Sequence, residues 1–142
     1  MLVRELMSTD VVTVAVDESM ATAVGRLLDA GVGSCVVLDE DGTPMGLVTE
    51  SDALAAAHET GRPLTEITVR EVGHRPVVTT TPDRSVSAVV RTMTAEDVKK
   101  VPVMSELELV GIITLTDIVW HLSDLKRELS TTDRVRNRWD PS

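Results

Sequence analysis

Two kinds of apolar pattern take turns along the chain. The β-branched runs at 11–16 (VVTVAV) and 77–81 (VVTTT) predict short strands, the second ended by Pro82. After the first run, Asp17 or Ser19 offers a helix N-cap. Met20, Val24, Leu27 and Leu28 then follow at i, i+4, i+7 and i+8, the core-facing stripe of a helix that Gly31 ends. After the second run, Asp83 or Ser85 is the cap, and Val86, Val90 and Met93 form the stripe. Next comes CVVLDEDGTPMGLVTE, two apolar runs around Asp41–Gly42, which predicts a β-hairpin; VPVMSELELVGIIT is its counterpart. A closing helix follows each hairpin, from Ser51 to about Glu59 and from Thr116 to about Leu129, and Gly61–Arg62–Pro63 breaks the chain between them.

The pattern is therefore an internal repeat, β-α-β-β-α twice. Val3–Met7 matches Val69–Gly73, Asp17–Glu18–Ser19 falls on Asp83–Arg84–Ser85, and Val32 on Val98, all at an offset of 66. The offset drops to 65 by Gly46 and Gly111, so the second hairpin is one residue shorter. A unit of about 60 residues buries too little surface to be more than marginally stable alone. The expected fold is α/β (α+β), two repeats packed sheet to sheet with pseudo-twofold symmetry. The expected bounds are 2–61 for repeat 1, 64–129 for repeat 2 and 130–142 for a polar tail.

Composition narrows the function. Of 142 residues 42% are apolar but only 1% aromatic, so the core is aliphatic and base-stacking platforms are missing. A net charge of −9 disfavours DNA, RNA and anionic membrane as partners. Lysine is scarce, 3 against 11 arginines, so the acidic surface fits either adaptation to high salt or an ordinary acidic protein. Cys35 is the single cysteine, and His58, His74 and His121 show no metal-ligand spacing with it or one another, so no metal site is expected. MLVRELMSTD has no signal-peptide core and no apolar run suits a membrane span, so the expected location is cytoplasmic. No nucleophile elbow, catalytic triad or phosphate-binding loop is present, so no enzyme activity is expected.

The repeats share one polar motif. GLVTESD (46–52) and GIITLTD (111–117) are both glycine, two apolar residues, threonine, two variable residues and aspartate. At a strand-to-helix junction Thr-x-x-Asp is a capping box, threonine on the N3 amide and aspartate on the N-cap amide. The same geometry holds two acceptor oxygens side by side, which suits the 2′,3′-diol of a ribose. The two readings are compatible, because a cap also stiffens a clamp.

With two such motifs in register, residues 2 to 125 resemble a tandem pair of cystathionine-β-synthase-type domains, CBS domains, also called a Bateman module. The resemblance implies two clefts between the repeats that take adenosine-type ligands (AMP, ADP, ATP or S-adenosylmethionine), with the motif aspartate on the ribose. It places Leu47, Thr49, Ser51 and Asp52 in a first cleft, walled by Val77, Val78, Val98, Lys99, Lys100 and Pro102. It places Ile112, Thr114, Thr116 and Asp117 in a second, walled by Val11, Val12, Val32, Gly33, Ser34 and Val36. Gly33–Ser34 stands where the other cleft has Lys99–Lys100, so the Asp52 cleft is expected to favour phosphorylated adenosine and the Asp117 cleft a less charged ligand or none. Lys99 and Lys100 can also be read as a solvated pair at a helix end.

The resemblance further implies a regulatory, energy-sensing type of module that forms a homodimer through its helices. With no effector domain in the chain, output would pass through assembly or a partner protein. The alternative is an interaction scaffold of the same fold with no physiological nucleotide. Arg4 and Arg70 are further candidates for phosphate contact or else solvated. Asp39, Glu40 and Asp41 bring opposing charge to the first hairpin, and Cys35 is read as a small core residue close to the second cleft. The basic tail, Lys126, Arg127, Arg134, Arg136 and Arg138 with Trp139, is either a docking arm or a solvated end.

Overall fold

The computed structural model describes residues 1–72 and 77–129, with side chains through Ser123. The expected elements of repeat 1 are present. A short helix α1 (Val3–Leu6) precedes β1 (Thr13–Ala15), α2 (Met20–Ala30), β2 (Ser34–Leu38), β3 (Pro44–Thr49) and α3 (Glu50–Thr60). Two 3₁₀ turns, Leu64–Glu66 and Val69–Glu71, lead to α4 (Val86–Glu96), β4 (Lys100–Ser105), β5 (Glu108–Thr114) and α5 (Leu115–Leu129). Ser19 and Ser85 are the caps that form, each accepting an amide at 3.1 Å from Thr22 and Ala88 respectively. Gly31 and Gly61 close α2 and α3 at φ 68° and 65°.

The first sheet has order β1-β2-β3, with β1 parallel and β3 antiparallel to β2. The second is the antiparallel pair β4-β5. Two expectations need correction. The strand expected at Val77–Thr81 reduces to a single parallel bridge between Thr80 and Val103. Leu28, expected in the core, is 75% exposed, because Leu27 and Met20 already fill the inward stripe of α2.

Each sheet divides its two faces by the period of the strand. Cys35, Val37 and Val48 turn toward α2 and α3 and join Val14, Met20, Ala23, Leu27 and Ala53 in one core. Val101, Val103 and Ile113 do the same against Val89, Met93 and Ile118 in a second core. The opposite faces hold the register pairs Ser34–Thr49 and Val36–Leu47 in one sheet, Lys100–Thr114 and Pro102–Ile112 in the other. Val36 is 0% exposed yet belongs to neither helix-side core, so its cover comes from across the sheet.

The two halves are stitched by exchanged segments. Val3, with Leu6 and Met7 packed around it, lies in the core of the second repeat. Ile67, Val69 and Val72 lie in the core of the first. The backbone bonds repeat at the sequence offset: Val3 donates to Arg84 as Val69 donates to Glu18, and Val86 donates to Met1 as Met20 donates to Ile67. Burying a valine removes its apolar surface from water at about 1.5 kcal/mol or more, so the exchange ties each repeat's stability to the other.

Candidate functional site

Both motif aspartates sit in the first turn of a helix that leaves the end of a sheet directly. At the first, the Thr49 hydroxyl accepts the Asp52 amide at 3.2 Å and the Asp52 carboxylate accepts the Thr49 amide at 2.9 Å, a closed capping box. At the second, Thr114 accepts the Asp117 amide at 3.1 Å. Among the described residues the Asp117 carboxylate itself has no hydrogen-bond partner. Both aspartates are half-buried. The preceding segment is pinned alike in each repeat, Glu50 donating to the Gly33 carbonyl at 3.1 Å and Leu115 to the Lys99 carbonyl at 2.8 Å.

The sheet registers collect the candidate residues. Leu47 and Thr49, assigned to the first cleft, stand directly opposite Val36 and Ser34, assigned to the second. Lys100 and Pro102 stand opposite Thr114 and Ile112 in the same way. Residues directly opposite in an antiparallel pair share a face, so each sheet presents one face carrying residues assigned to both clefts. Across those faces the Lys100 ammonium donates to the Ser34 hydroxyl at 2.7 Å. Lys99, Ser51, Thr116 and Val32 are exposed; Val11, Val12, Gly33, Val77, Val78 and Val98 are half-buried.

Sequence reasoning missed the Lys100–Ser34 contact, although the signal was there: the two positions are equivalents at offset 66 and meet near a pseudo-twofold axis. The room left at Gly111 goes to the protein's own N-terminal segment: a Cβ there would meet the Ser8 carbonyl oxygen at 2.8 Å and the Met7 sulfur at 2.9 Å.

A cavity of about 340 Å³ opens beside Asp52, lined along α3 by Ala55, Ala56 and Glu59 and opposite by Ile67, Arg62 and Glu71. Glu71 accepts from the Thr68 amide at 2.8 Å and from Arg62 at 3.0 Å, and these bonds pull its carboxyl down to about 2. Arg70 faces the acidic hairpin, Asp39, Glu40 and Asp41, across a shallower cavity of about 210 Å³. Arg4 pairs with Asp83 of the other repeat. Cys35 is 1% exposed and burial pushes its thiol up to about 11, which leaves it a core residue with little thiolate. Glu18 is held below the usual carboxylate range by the Arg26 guanidinium and the Ala15 amide. Among the described residues no cluster of His, Cys, Asp and Glu suits a metal ion, and no helix is long and apolar enough to cross a membrane. His74 and the basic tail lie outside the residues whose side chains are described.

The geometry has clear relatives. The CBS domain family model matches residues 3–59 and 69–124. An uncharacterised protein of Methanocaldococcus jannaschii is 28% identical over 98% of this chain, which spans 36% of that protein's length. The chain likewise spans 60% and 41% of two further archaeal relatives. Among solved structures, the CBS domain pair of protein MJ0100 in complex with 5′-methylthioadenosine and S-adenosyl-L-methionine superposes with a TM-score of 0.72 at 27% identity, over 86% of this chain and 99% of that one. The CBS-domain protein ATU1752 from Agrobacterium tumefaciens superposes with a TM-score of 0.72 at 30% identity, over 86% of this chain and 99% of that one. The chain therefore belongs to the CBS-domain family and carries two CBS domains in tandem.

Proposed function

We propose that the chain is a non-catalytic regulatory module that binds an adenosine-type ligand between its two repeats. The observation that carries this reading is the duplicated junction: two threonine-capped turns, each presenting a half-buried aspartate at the end of a sheet whose face carries further residues assigned to the clefts. The likeness to a domain pair bound to 5′-methylthioadenosine and S-adenosylmethionine supports the ligand class. Asp52 and Asp117 would hold the two ribose diols, and the apolar residues of each facing wall would sandwich the adenine. Lys99 and Lys100 would favour the Asp52 cleft for a phosphorylated ligand, and Gly33 and Ser34 would give the Asp117 cleft the weaker hold on one.

Isothermal calorimetry against AMP, ADP, ATP and S-adenosylmethionine tests the reading directly. Binding of at least one at micromolar concentration is the expected result. A ligand at 100 times its dissociation constant also raises stability by about 2.7 kcal/mol, visible in a thermal melt. No binding and no melting shift with any of them overturns the reading and favours a scaffold without nucleotide.

Output would pass through assembly. Leu28 and Leu54 are 75% and 74% exposed beside an apolar cavity of about 230 Å³ between α2 and α3, and Val119 and Trp120 are exposed on α5. Two such faces on one chain fit a homodimer packed through helices. Light scattering behind size exclusion should give twice the chain mass, and Leu54→Glu should give the monomer.

A further inference from the structure

We infer that Lys100 is a cation shared by the two clefts, so that the chain holds only one phosphorylated ligand at full affinity. The inference rests on the nucleotide reading and concerns how its two sites communicate. Lys100 starts β4 opposite Thr114, whose turn presents Asp117. Its ammonium reaches the Ser34 hydroxyl at 2.7 Å, and Ser34 stands opposite Thr49, whose turn presents Asp52. The side chain thus runs from the flank of one aspartate turn to the flank of the other.

The ammonium is poorly matched where it sits. Lys100 is half-buried, and among the described residues no carboxylate lies within the 4.0 Å of an ion pair. A hydroxyl satisfies one of its three donors and none of its charge. A phosphoryl group in either cleft would offer it a charged acceptor, at the cost of the Ser34 bond. Lys99, its neighbour, is exposed and its carbonyl is committed to Leu115. The equivalents of the two lysines in the first repeat are Gly33 and Ser34, so the junction has no symmetry-related second ammonium. The second anion to arrive finds Lys100 engaged and a like charge nearby. A neutral nucleoside competes for nothing.

Calorimetry with AMP and with adenosine tests this on the wild-type chain and on Lys100→Met. In the wild type, AMP should show one tight site per chain and a second weaker by at least about tenfold, the worth of one charge-assisted hydrogen bond. Adenosine should show two sites differing by less than that. Lys100→Met should lower the AMP-to-adenosine affinity ratio at the tight site about tenfold and bring the two AMP sites together. Two equal AMP sites in the wild type, or the same loss for adenosine as for AMP in Lys100→Met, overturn the shared cation while leaving the nucleotide reading intact. Failure of AMP and adenosine to bind the wild type overturns the shared cation, and failure of ADP, ATP and S-adenosylmethionine as well overturns both.

Discussion

Ser8 and Ile112 exchange both backbone hydrogen bonds, at 2.8 and 2.9 Å, a single antiparallel bridge that holds the segment after α1 against β5 of the distant repeat. The crossing passes over Gly111. A methyl group there would press on the Ser8 carbonyl, which cannot yield without disturbing the pair, and on the more flexible Met7 side chain. Gly111→Ala should therefore destabilise the fold by about 1–3 kcal/mol. Gly25, inside α2, should behave oppositely: a methyl group added there would meet nothing within 4 Å, and Gly25→Ala should gain about 0.5–1 kcal/mol. Urea denaturation of the two variants checks both signs at once.

The two motif aspartates should separate when each is changed to alanine. Asp52→Ala opens a closed capping box and should cost about 1 kcal/mol of stability, whereas Asp117 accepts no bond among the described residues and its loss should cost less. Ligand affinity should follow a different order. Removing the two ribose contacts proposed for Asp52 should weaken AMP roughly 100-fold, with Asp117→Ala having the smaller effect on AMP. Melting curves and calorimetry on the same samples read the two effects separately. AMP binding that survives Asp52→Ala and disappears with Asp117→Ala would reverse the assignment of the clefts.

Much of this arrangement was legible in the sequence because it is written in local periods. The stripe of Met20 and Leu27, the caps Ser19 and Ser85, and the hairpin at Asp41–Gly42 each follow from spacing within a dozen residues. The repeat then supplied the architecture, since two half-cores must cover one another. What the sequence hid is long-range. Nothing local tells Val3 to bury itself against Val89 and Met93, about 90 residues away. Leu28 carries the right period for the core and is exposed, because two neighbours on the same stripe had already filled it. Val77–Thr81 has the composition of a strand, yet it forms one bridge where the matching run forms β1.

Thr80 marks a weak point in that degenerate strand. It occupies the position of Val14 in the first repeat, is 7% exposed, and its hydroxyl has no hydrogen-bond partner among the described residues. A buried, unpaired hydroxyl costs about 1–3 kcal/mol relative to one left in water. Thr80→Val keeps the shape, removes the unpaired group and restores the residue the first repeat uses. It should raise stability by about 1 kcal/mol in denaturant titration. A loss of stability would mean that the hydroxyl is paired after all.

Acid should expose the contribution of Glu71, which sits across the cavity from Asp52 and ties the linker between the repeats. Its carboxylate accepts the Thr68 amide, the Thr68 hydroxyl and Arg62, and its folded pKa of about 2 lies below the ordinary value of 4.5. A depressed carboxyl stabilises the fold in its ionised form, so the contribution is complete above about pH 4.5 and is lost as pH falls through about 2. Glu18, held down by Arg26, acts in the same direction. The Glu71→Gln variant cannot ionise and should be less stable than the wild type at pH 7. Because only the wild type loses this ionised form, the gap between them should close as pH drops from 4.5 toward 2, which melting temperatures at pH 7, 4.5, 3 and 2 would follow. A gap that stays constant down to pH 2 would show that the Thr68 and Arg62 contacts stabilise Glu71 no better in its ionised form than in its protonated one.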